Sequence, residues 1–266
     1  MSSASRSVVA VLACVACIGH ARELRVCADP DNLPISHADG SGFENRIAEL
    51  VAAELGAELR YEFLKQVRGY VRKSMGEGLC DVFIGVPKDL ERVMTTRPYY
   101  RSSYVFVDGA RAKDLHTFDD PRLQHLRIGV QLVGNDLAAT PPGHALARYG
   151  QFDNVRGFTV FGEGSVAQRM VGAVERGDLD TALVWGPGAG HLAAHSARAL
   201  EVRVAEAPPG LDGAPFEFDI AMGVRRGDKA LRDELDAVIE RRRGDIDAIL
   251  AAYAVPRTDA RSGGPR

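Results

Sequence analysis

Two histidines and a short acidic loop are the residues of this sequence whose types and spacing come nearest to a metal site. His191 and His195 stand four residues apart on a predicted helix, so both imidazoles could reach one metal ion. No Glu stands beside the first histidine and no third ligand is evident, so the sequence predicts no metal site. The acidic loop at residues 29–32 could bind a hard cation, but it lacks the alternating carboxylates of a calcium loop, which favours a capped, solvated turn.

The sequence also lacks the common catalytic motifs. It contains no Ser/His/Asp order, no nucleophile elbow and no paired-carboxylate motif. We therefore expect a binding protein, not an enzyme, with no cofactor of its own. An enzyme grown from the same scaffold, such as a dehydratase, is an open alternative, and its acid or base would be Asp29, Asp136 or Glu163.

A glycine-rich turn at residues 162–165 precedes a predicted helix. Ser165 and Gln168 have the spacing of a reciprocal helix cap. Such a turn at a helix N-terminus can hold an anion. Because the residues match neither the P-loop nor the dinucleotide-binding pattern, a plain cap and turn is the favoured interpretation.

Residues 24–100 supply the elements that would position a site. An apolar strand at 24–28 ends on a polar loop at 29–34, and Ser41 with Glu44 predicts a reciprocal cap for the helix that follows. That helix buries one apolar face and ends at Gly56.

A second strand, a second helix carrying Val67, Val71 and Met75, and a third strand at 80–85 continue the alternation. This order implies right-handed crossovers and a parallel sheet, in which ligands bind beyond the carboxyl ends of the strands. The loops at 29–34 and 85–89 are therefore expected to share one rim.

The rest of the chain repeats the strand-then-loop design and then returns to the first sheet. The predicted fold class is α/β, with two lobes, a hinge and a central cleft. The predicted boundaries are a signal peptide at 1–21, lobe one at 22–108 plus 217–255, lobe two at 109–216, and a flexible tail at 256–266.

Composition limits the partners and the N-terminus predicts the compartment. A formal charge of -3 over 266 residues provides no basic field for a phosphate backbone, so no nucleic acid partner is expected. Arg6 precedes an apolar run at 8–18 that is too short to span a bilayer, and Ala21 ends a stretch typical of a cleavage site. We expect export to the periplasm with no membrane span after cleavage; an N-terminal anchor, or a lipid on Cys14 or Cys17, is the alternative.

Two cysteines, Cys27 and Cys80, remain after cleavage. An oxidising compartment favours a bridge between them. If their strands lie side by side and parallel, however, the two residues are roughly 10 Å apart along the strands, beyond the reach of a disulfide. Geometry therefore leads us to expect no bridge.

Five segments together resemble the MoxJ/XoxJ-type proteins, quinoprotein-dehydrogenase-associated relatives of ABC-transporter substrate-binding proteins, and the likeness runs from about residue 24 to about residue 253. The segments are RVCADPDNLP at 25–34, GFEN at 42–45, CDVFIGVP at 80–87, TTRPYYRS at 95–102 and DTALVWGP at 180–187.

The resemblance implies the periplasmic-binding-protein-like (type II) fold, but the residues of this sequence depart from the usual amino-acid site. Substrate-binding proteins for amino acids, which this architecture resembles, hold the ligand with an Arg and an Asp. Here the corresponding positions are about Asp89 and Trp185, so a free α-amino acid is not expected unless Arg92 moves into the gap. The expected cleft rim consists of Asp29, Asp31, Asn32, Arg68, Tyr99, Arg101, Asn135, Asp136 and Trp185.

Three of these rim residues also have plain structural interpretations. Trp185 could stack on a ligand or accept an inserted side chain of a protein, or it could fill the base of its own cleft. Arg68 could point into the cleft, although a solvated face is favoured. Tyr99 fits hinge packing better than ligand contact.

The resemblance implies a periplasmic accessory factor of a PQQ-dependent methanol or alcohol dehydrogenase. Its expected mechanism is hinge closure on the enzyme or its cofactor, which would assist maturation or activation. The expected partners are that dehydrogenase, together with its cytochrome c, and a small-molecule ligand. The alternative is an ABC-transporter substrate-binding protein for a small organic solute.

Overall fold

The computed structural model describes residues 22–133, 138–151, 153–211 and 215–259. The predicted signal peptide lies outside these ranges. The α-helices are α1 (Phe43–Glu54), α2 (Tyr70–Lys73), α3 (Pro141–Arg148), α4 (Val166–Arg176), α5 (Gly186–Ala194), α6 (Lys229–Arg241) and α7 (Arg243–Ala252). The strands are β1 (Glu23–Ala28), β2 (Asp31–Asn32), β3 (Ser36–His37), β4 (Glu58–Phe63), β5 (Val82–Pro87), β6 (Val93–Thr95), β7 (Tyr100–Asp108), β8 (Ile128–Val133), β9 (Ala138–Ala139), β10 (Val155–Phe158), β11 (Thr181–Trp185), β12 (Glu201–Val204) and β13 (Glu217–Arg225).

Two parallel groups of strands are joined by a pair of long antiparallel strands. The main strand order is β10-β8-β11-β7-β13-β5-β1-β4. At one end β1 pairs in parallel with β4 and β5, and at the other β8 pairs in parallel with β10 and β11. The predicted parallel pairing around β1 is therefore confirmed.

The strand β7 pairs with strands on both sides of the sheet. Its first four residues pair with β13, Tyr100 opposite Ile220, whereas its remaining residues pair with β11 and β12. The long strands β7 and β13 therefore connect the two lobes.

The buried apolar residues form separate clusters on the two sides of this connection. One cluster gathers α1, β1, β5, the start of β7, β13 and the last two helices, including Phe43, Ile47 and Leu235. Two others lie against the second half of β7, around Phe106 and around Met170. The predicted residue boundaries of the lobes and the tail remain a prediction.

The cap of α1 differs from the prediction. Gly42 is the N-cap residue, and Asn45 accepts hydrogen bonds from the backbone N–H of Gly42 (3.1 Å) and of His37 (2.9 Å). A Cβ on Gly42 would overlap the backbone of Ile35, so glycine lets the helix end approach that loop closely. Since Asn45 takes the capping role, Glu44 is not used for it.

The second predicted helix is much shorter than its apolar spacing suggested. The chain forms only α2 and a single 3-10 turn, Met75–Glu77. Gly69 precedes α2 and Gly78 follows the turn, both with positive φ, which confines helical backbone to the residues between them.

Contrary to the sequence-based expectation, Cys27 and Cys80 form a disulfide, with Cα atoms 5.5 Å apart. The expectation placed Cys80 inside its strand, but β5 begins only at Val82. Cys80 follows the Met75–Glu77 turn in irregular backbone and packs in one buried cluster with Cys27 and Phe83. The separation that was predicted by counting residues along two parallel strands therefore does not apply to Cys80.

The end of the described chain is held against the hinge. Ser102 donates a hydrogen bond to the Pro256 carbonyl at 2.5 Å, and Thr258 N donates to the Arg101 carbonyl at 3.0 Å. Arg257 forms an ion pair with Asp247 at 2.6 Å. Residues 256–259 are thus bonded to the rest of the chain, and the other residues of the predicted tail lie outside the described ranges.

Candidate functional site

A cavity of about 280 Å³ lies between the lobes, and we call it the cleft. It is bounded by the residues after β1, the ends of β5, β8 and β11, and the first turns of α4 and α5. Its polar and aromatic lining residues are Asp29, Asp31, Asn32, Glu44, Lys65, Gln66, Tyr100, Gln131, Ser165 and Trp185.

The predicted loop after β1 does line the cleft, but its carboxylates are already bonded. Asp29 is buried and accepts hydrogen bonds from the backbone N–H of Asp31 (2.9 Å) and of Gln66 (2.7 Å). These bonds shape the loop and join it to the residues after β4. Asp29 therefore acts first as a support for the rim.

Three hydrogen bonds connect this loop region to the glycine-rich turn of the other lobe. Asp31 accepts from Gly164 N at 3.0 Å, Ser165 Oγ donates to the Leu33 carbonyl at 2.6 Å, and Lys65 Nζ donates to the Gly162 carbonyl at 3.2 Å. We call these the interlobe bonds. They hold the two rims together on one side of the cleft.

The predicted cap of α4 is confirmed. Ser165 Oγ accepts from Gln168 N at 3.0 Å, and Gln168 Oε1 accepts from Ser165 N at 2.8 Å. The anion at this helix N-terminus is the Asp31 carboxylate of the same chain, which bonds Gly164 N.

Glu44 is a cleft residue that the sequence did not reveal. Its carboxyl group forms no hydrogen bond or ion pair within residues 22–133, 138–151, 153–211 and 215–259. A Cβ on Gly85 would overlap this carboxyl, so glycine in β5 makes room for it. Desolvation raises the pKa of Glu44 from 4.5 to about 8, so the group is largely neutral at pH 7.

The sequence signal for Glu44 was its place in the capping pattern, which assigned it a different role. In the structure Asn45 caps α1, so the Glu44 side chain is available to the cleft.

Trp185 stands at the carboxyl end of β11 and lines the cleft, as expected. It also makes edge contacts with Tyr104 (5.4 Å between ring centroids) and Phe218 (5.5 Å), which lie on the two connecting strands. A Cβ on Gly186 would approach the Ser103 carbonyl to 2.5 Å, so the residue after Trp185 must be small. Trp185 therefore packs on the hinge with one side and faces the cleft with the other.

Three of the predicted rim residues, Tyr99, Arg101 and Arg68, are not among the residues that line the cleft. Tyr99 is buried and donates to the Ile84 carbonyl at 2.9 Å, while its neighbour Tyr100 lines the cavity. Arg101 forms ion pairs with Glu217 (2.8 Å) and Asp219 (3.2 Å) across β7 and β13. Arg68 is exposed and is not among the lining residues, and Asn135 and Asp136 lie outside the described residues.

The position that holds the ligand carboxylate in amino-acid-binding proteins, at about Asp89, does not line the cleft, and neither does Arg92. Asp89 is exposed with φ 65°, and Arg92 lines a different cavity. No arginine is present among the cleft-lining residues of the described ranges, and Lys65 is already bonded to Gly162. The cleft therefore offers carboxyl groups and aromatic rings, but no guanidinium for a ligand carboxylate.

His191 in α5 and His195, which directly follows that helix, lie side by side. Their ring centroids are 4.1 Å apart, and His195 Nδ1 is 2.8 Å from the His191 carbonyl oxygen. Burial, and to a smaller extent the neighbouring His195, lowers the pKa of His191. Within the described ranges there is no group of three His, Cys, Asp or Glu side chains placed to hold a metal ion.

None of the helices in the described part of the chain is both long enough and apolar enough to cross a membrane.

Comparison with known proteins adds family evidence to this geometry. Residues 24–255 match the model for bacterial extracellular solute-binding proteins, family 3. Protein MoxJ of Methylorubrum extorquens is 34% identical over 249 residues, covering 88% of this chain and 81% of the relative. Protein MoxJ of Paracoccus denitrificans is 29% identical over 253 residues, covering 88% of each chain.

A solved structure gives the same result. The crystal structure of the periplasmic binding protein XoxJ from Methylobacterium extorquens AM1 aligns with a TM-score of 0.74 and 35% identity, covering 89% of this chain and all of that one. The resemblance and the fold class predicted from sequence are thereby confirmed. The chain belongs to the family 3 extracellular solute-binding proteins, within its MoxJ/XoxJ type, and has the type II periplasmic-binding-protein fold.

Proposed function

We propose that this protein is a periplasmic accessory factor of a PQQ-dependent methanol or alcohol dehydrogenase, not the solute receptor of a transporter. The names of its relatives connect it to the Mox and Xox group, which the sequence resemblance associates with quinoprotein dehydrogenases. In this role the cleft closes on a segment of the enzyme or on its cofactor and so assists maturation or activation. The dehydrogenase, together with its cytochrome c, is the proposed partner.

The observation that carries the proposal is the charge of the cleft. A receptor for amino acids needs a cation for the ligand carboxylate, and the described cleft-lining residues offer no free one. They offer instead the carboxyl groups of Asp29, Asp31 and Glu44 beside Trp185 and Tyr100. A family member that has the two lobes but lacks the Arg and Asp that hold an amino acid fits a role other than amino-acid delivery.

The same charges favour a segment of the enzyme over its cofactor. Pyrroloquinoline quinone is a polycarboxylic acid, and the carboxylates of Asp29 and Asp31 in the cleft disfavour it. A side chain that is uncharged or cationic is compatible with Glu44, which can accept a hydrogen bond when ionised or donate one when neutral. Trp185 provides an aromatic surface against which such a side chain can pack.

The test is association between the purified protein and its dehydrogenase, measured by biolayer interferometry with the enzyme in its apo and PQQ-loaded forms. We expect Glu44→Gln to weaken association at least threefold and Gly85→Ala, which displaces the Glu44 carboxyl, to act in the same direction. Glu49→Gln is the matched control, because Glu49 lies on the same helix but is exposed. Absence of association with either form of the enzyme overturns the proposal.

A solute receptor for an ABC permease is the second candidate, and the size of the cleft supports it. About 280 Å³ suits a small organic molecule better than a long peptide. A panel of uncharged and cationic metabolites would then raise the melting temperature, since a ligand that binds only the folded state stabilises it. A shift with one metabolite and no association with the dehydrogenase would favour this candidate.

We also propose that the protein is a binding protein without turnover. In the described cleft Asp29 is bonded to two backbone amides, which leaves Glu44 as the carboxyl group best placed for proton transfer. Turnover of any cleft ligand that is lost in Glu44→Gln and kept in Glu49→Gln would contradict this proposal.

A further inference from the structure

A second concave surface lies on the first lobe and shares no lining residue with the cleft. It is a cavity of about 440 Å³ formed by α2, the Met75–Glu77 turn, the loop after β5 and the end of β13. Four of its lining residues are arginines, and Glu77 is the one acidic side chain among its described lining residues. We call this surface the arginine pocket, after Arg72, Arg92, Arg225 and Arg226.

The sheet topology brings these arginines together from distant parts of the sequence. Strand β13 pairs antiparallel with β6, so that Arg225 is opposite Val93. Arg92 directly precedes β6 and Arg226 directly follows β13, which places both at the same end of the strand pair. Arg92 has φ 75°, a conformation uncommon for a residue with a side chain, so the tight turn before β6 fixes its backbone.

One arginine of the pocket is anchored through the disulfide segment. Arg225 donates hydrogen bonds to the Cys80 carbonyl and to Asp81 Oδ1, each at 3.2 Å. Asp81 also forms an ion pair with Arg25 at 2.7 Å. Because Cys80 is bonded to Cys27, this wall of the pocket is covalently tied to β1.

The other arginines are available for intermolecular contacts. The side chains of Arg92 and Arg226 make no hydrogen bond or ion pair with any residue that the structure describes. Arg72 lies 4.0 Å from Glu77 and is 62% exposed, a pairing of little energetic weight. Arg92 and Arg226 thus add two uncompensated positive charges to the pocket, and a bound anion would lower the repulsion between them.

We propose that the arginine pocket is a docking site for an acidic segment of a partner protein. Guanidinium groups pair with carboxylates through two parallel hydrogen bonds, and several of them on one surface select a segment with several acidic side chains. The buried Met75 and the partly buried Val71 add apolar surface for the aliphatic parts of that segment. Surface complementarity of this kind mainly accelerates association and fixes orientation.

A protein segment fits this surface better than a nucleic acid does. The whole chain carries a formal charge of -3, which opposes a long polyanion. The described lining residues include no aromatic side chain on which a base could stack. The inference is independent of the proposed function, because it concerns another surface and can be tested without the dehydrogenase.

The experiment measures binding of a fluorescein-labelled hexaglutamate peptide by anisotropy at low and at moderate salt. We expect salt-sensitive binding by the full chain and at least fivefold weaker binding by the Arg92→Ala, Arg226→Ala double variant. The matched control is Arg156→Ala with Arg198→Ala, two exposed arginines of lobe two, which removes the same net charge from another place. Circular dichroism melting confirms that all the variants are folded.

Each outcome decides the proposal. Selective loss in the first double variant supports it, and the charge reversal Arg92→Glu with Arg226→Glu then abolishes binding. Equal affinity of all three proteins, an equal loss in both double variants, or no binding by the full chain overturns it. Tighter binding of a single-stranded oligonucleotide of the same charge also overturns the assignment to an acidic protein segment.

Discussion

The cleft and the arginine pocket are two concave surfaces of one chain with opposite charge. The cleft lies at the carboxyl ends of the parallel strands and gathers Asp29, Asp31 and Glu44. The arginine pocket lies near the amino end of β5 and gathers four guanidinium groups. In a chain whose formal charge is -3, these two surfaces thus present side chains of opposite sign.

The two surfaces also differ in what satisfies their charged groups. In the cleft, Asp29, Asp31 and Lys65 are bonded to backbone groups of the chain itself, and two of these three residues join the lobes. In the arginine pocket, two side chains have no partner within the described ranges. The difference indicates that the cleft charges mainly control the relative position of the lobes, whereas the arginine pocket is built for contact with another molecule.

Removing the disulfide gives the largest expected effect and separates the two surfaces. Replacing Cys27 and Cys80 by Ser opens a loop with a sequence separation of 53. Chain-entropy reasoning predicts a loss of about 4 kcal/mol in the free energy of unfolding, measured by urea denaturation. Because Arg225 is anchored on the Cys80 carbonyl, hexaglutamate binding should weaken while ligand binding in the cleft is retained.

The control for this prediction is the wild-type chain in a reducing agent, which should match the double Cys→Ser variant. An unchanged unfolding midpoint in both would show that the bridge does not stabilise the folded chain.

The next effect tests the neutral carboxyl of the cleft. The pKa of Glu44 is 4.5 in the unfolded chain and about 8 in the folded chain, so the folded state binds the extra proton between these values. The stability from this group is complete below pH 4.5 and is lost as the pH rises through 8. Glu44→Gln should therefore be more stable than the wild type at pH 9, by about 2 kcal/mol after solvent screening in the open cleft, and similar at pH 4.

Other titratable groups near Glu44 can also contribute to the pH dependence of stability. The titratable groups that surround Glu44 or share its cavity are Asp29, Lys65, Tyr70, Tyr99 and Tyr100.

A second acid titrates in the same direction elsewhere in the molecule. Burial also raises the pKa of Asp108, at the end of β7, to about 7. Asp108→Asn is therefore the control: it should remove the part of the pH dependence that lies between pH 3.8 and about pH 7, and its stability difference from the wild type should stay constant at higher pH. If Glu44→Gln has the same stability as the wild type at every pH from 4 to 9, the Glu44 carboxyl is solvated. The claim that it is a neutral group of the cleft is then wrong.

A smaller effect concerns the interlobe bonds. Asp31→Ala removes the acceptor for Gly164 N, and we expect a loss of about 1 kcal/mol because the pair is partly exposed. Small-angle scattering should show a larger radius of gyration if this bond favours the closed arrangement. Asp39→Ala, an exposed acid of the same region, serves as the control and should leave the scattering curve unchanged.

The sequence could predict the scaffold because its signals are local. Apolar runs, Gly56 after α1, and the reciprocal pair Ser165 and Gln168 each fix the chain within a few residues, and all agree with the observed elements. The alternation of strands and helices then limits the topology to a parallel sheet on each side of the hinge. Trp185 at a strand end followed from the same reasoning.

The site was harder to predict because its geometry depends on contacts between distant residues. The role of Glu44 was hidden, since only the tertiary structure shows that Asn45 takes the cap and that Gly85 leaves space for the carboxyl. The disulfide was predicted wrongly, because a bend before β5 cannot be read from strand periodicity. Arg92 and Arg226 are 134 residues apart and meet only through the pairing of β6 with β13.

The smallest expected effect lies at the hinge, between the two surfaces. Arg101 joins β7 to β13 through Glu217 and Asp219, and its side chain is 41% exposed. Exposed ion pairs contribute little, so Arg101→Ala should lower the free energy of unfolding by about 0.5 kcal/mol, less at high salt. Urea denaturation at low and high salt measures this, with Arg101→Lys expected to retain part of the stability. A loss of several kcal/mol would mean that this pair, and not the packing of Trp185 against Tyr104 and Phe218, holds the connecting strands in register.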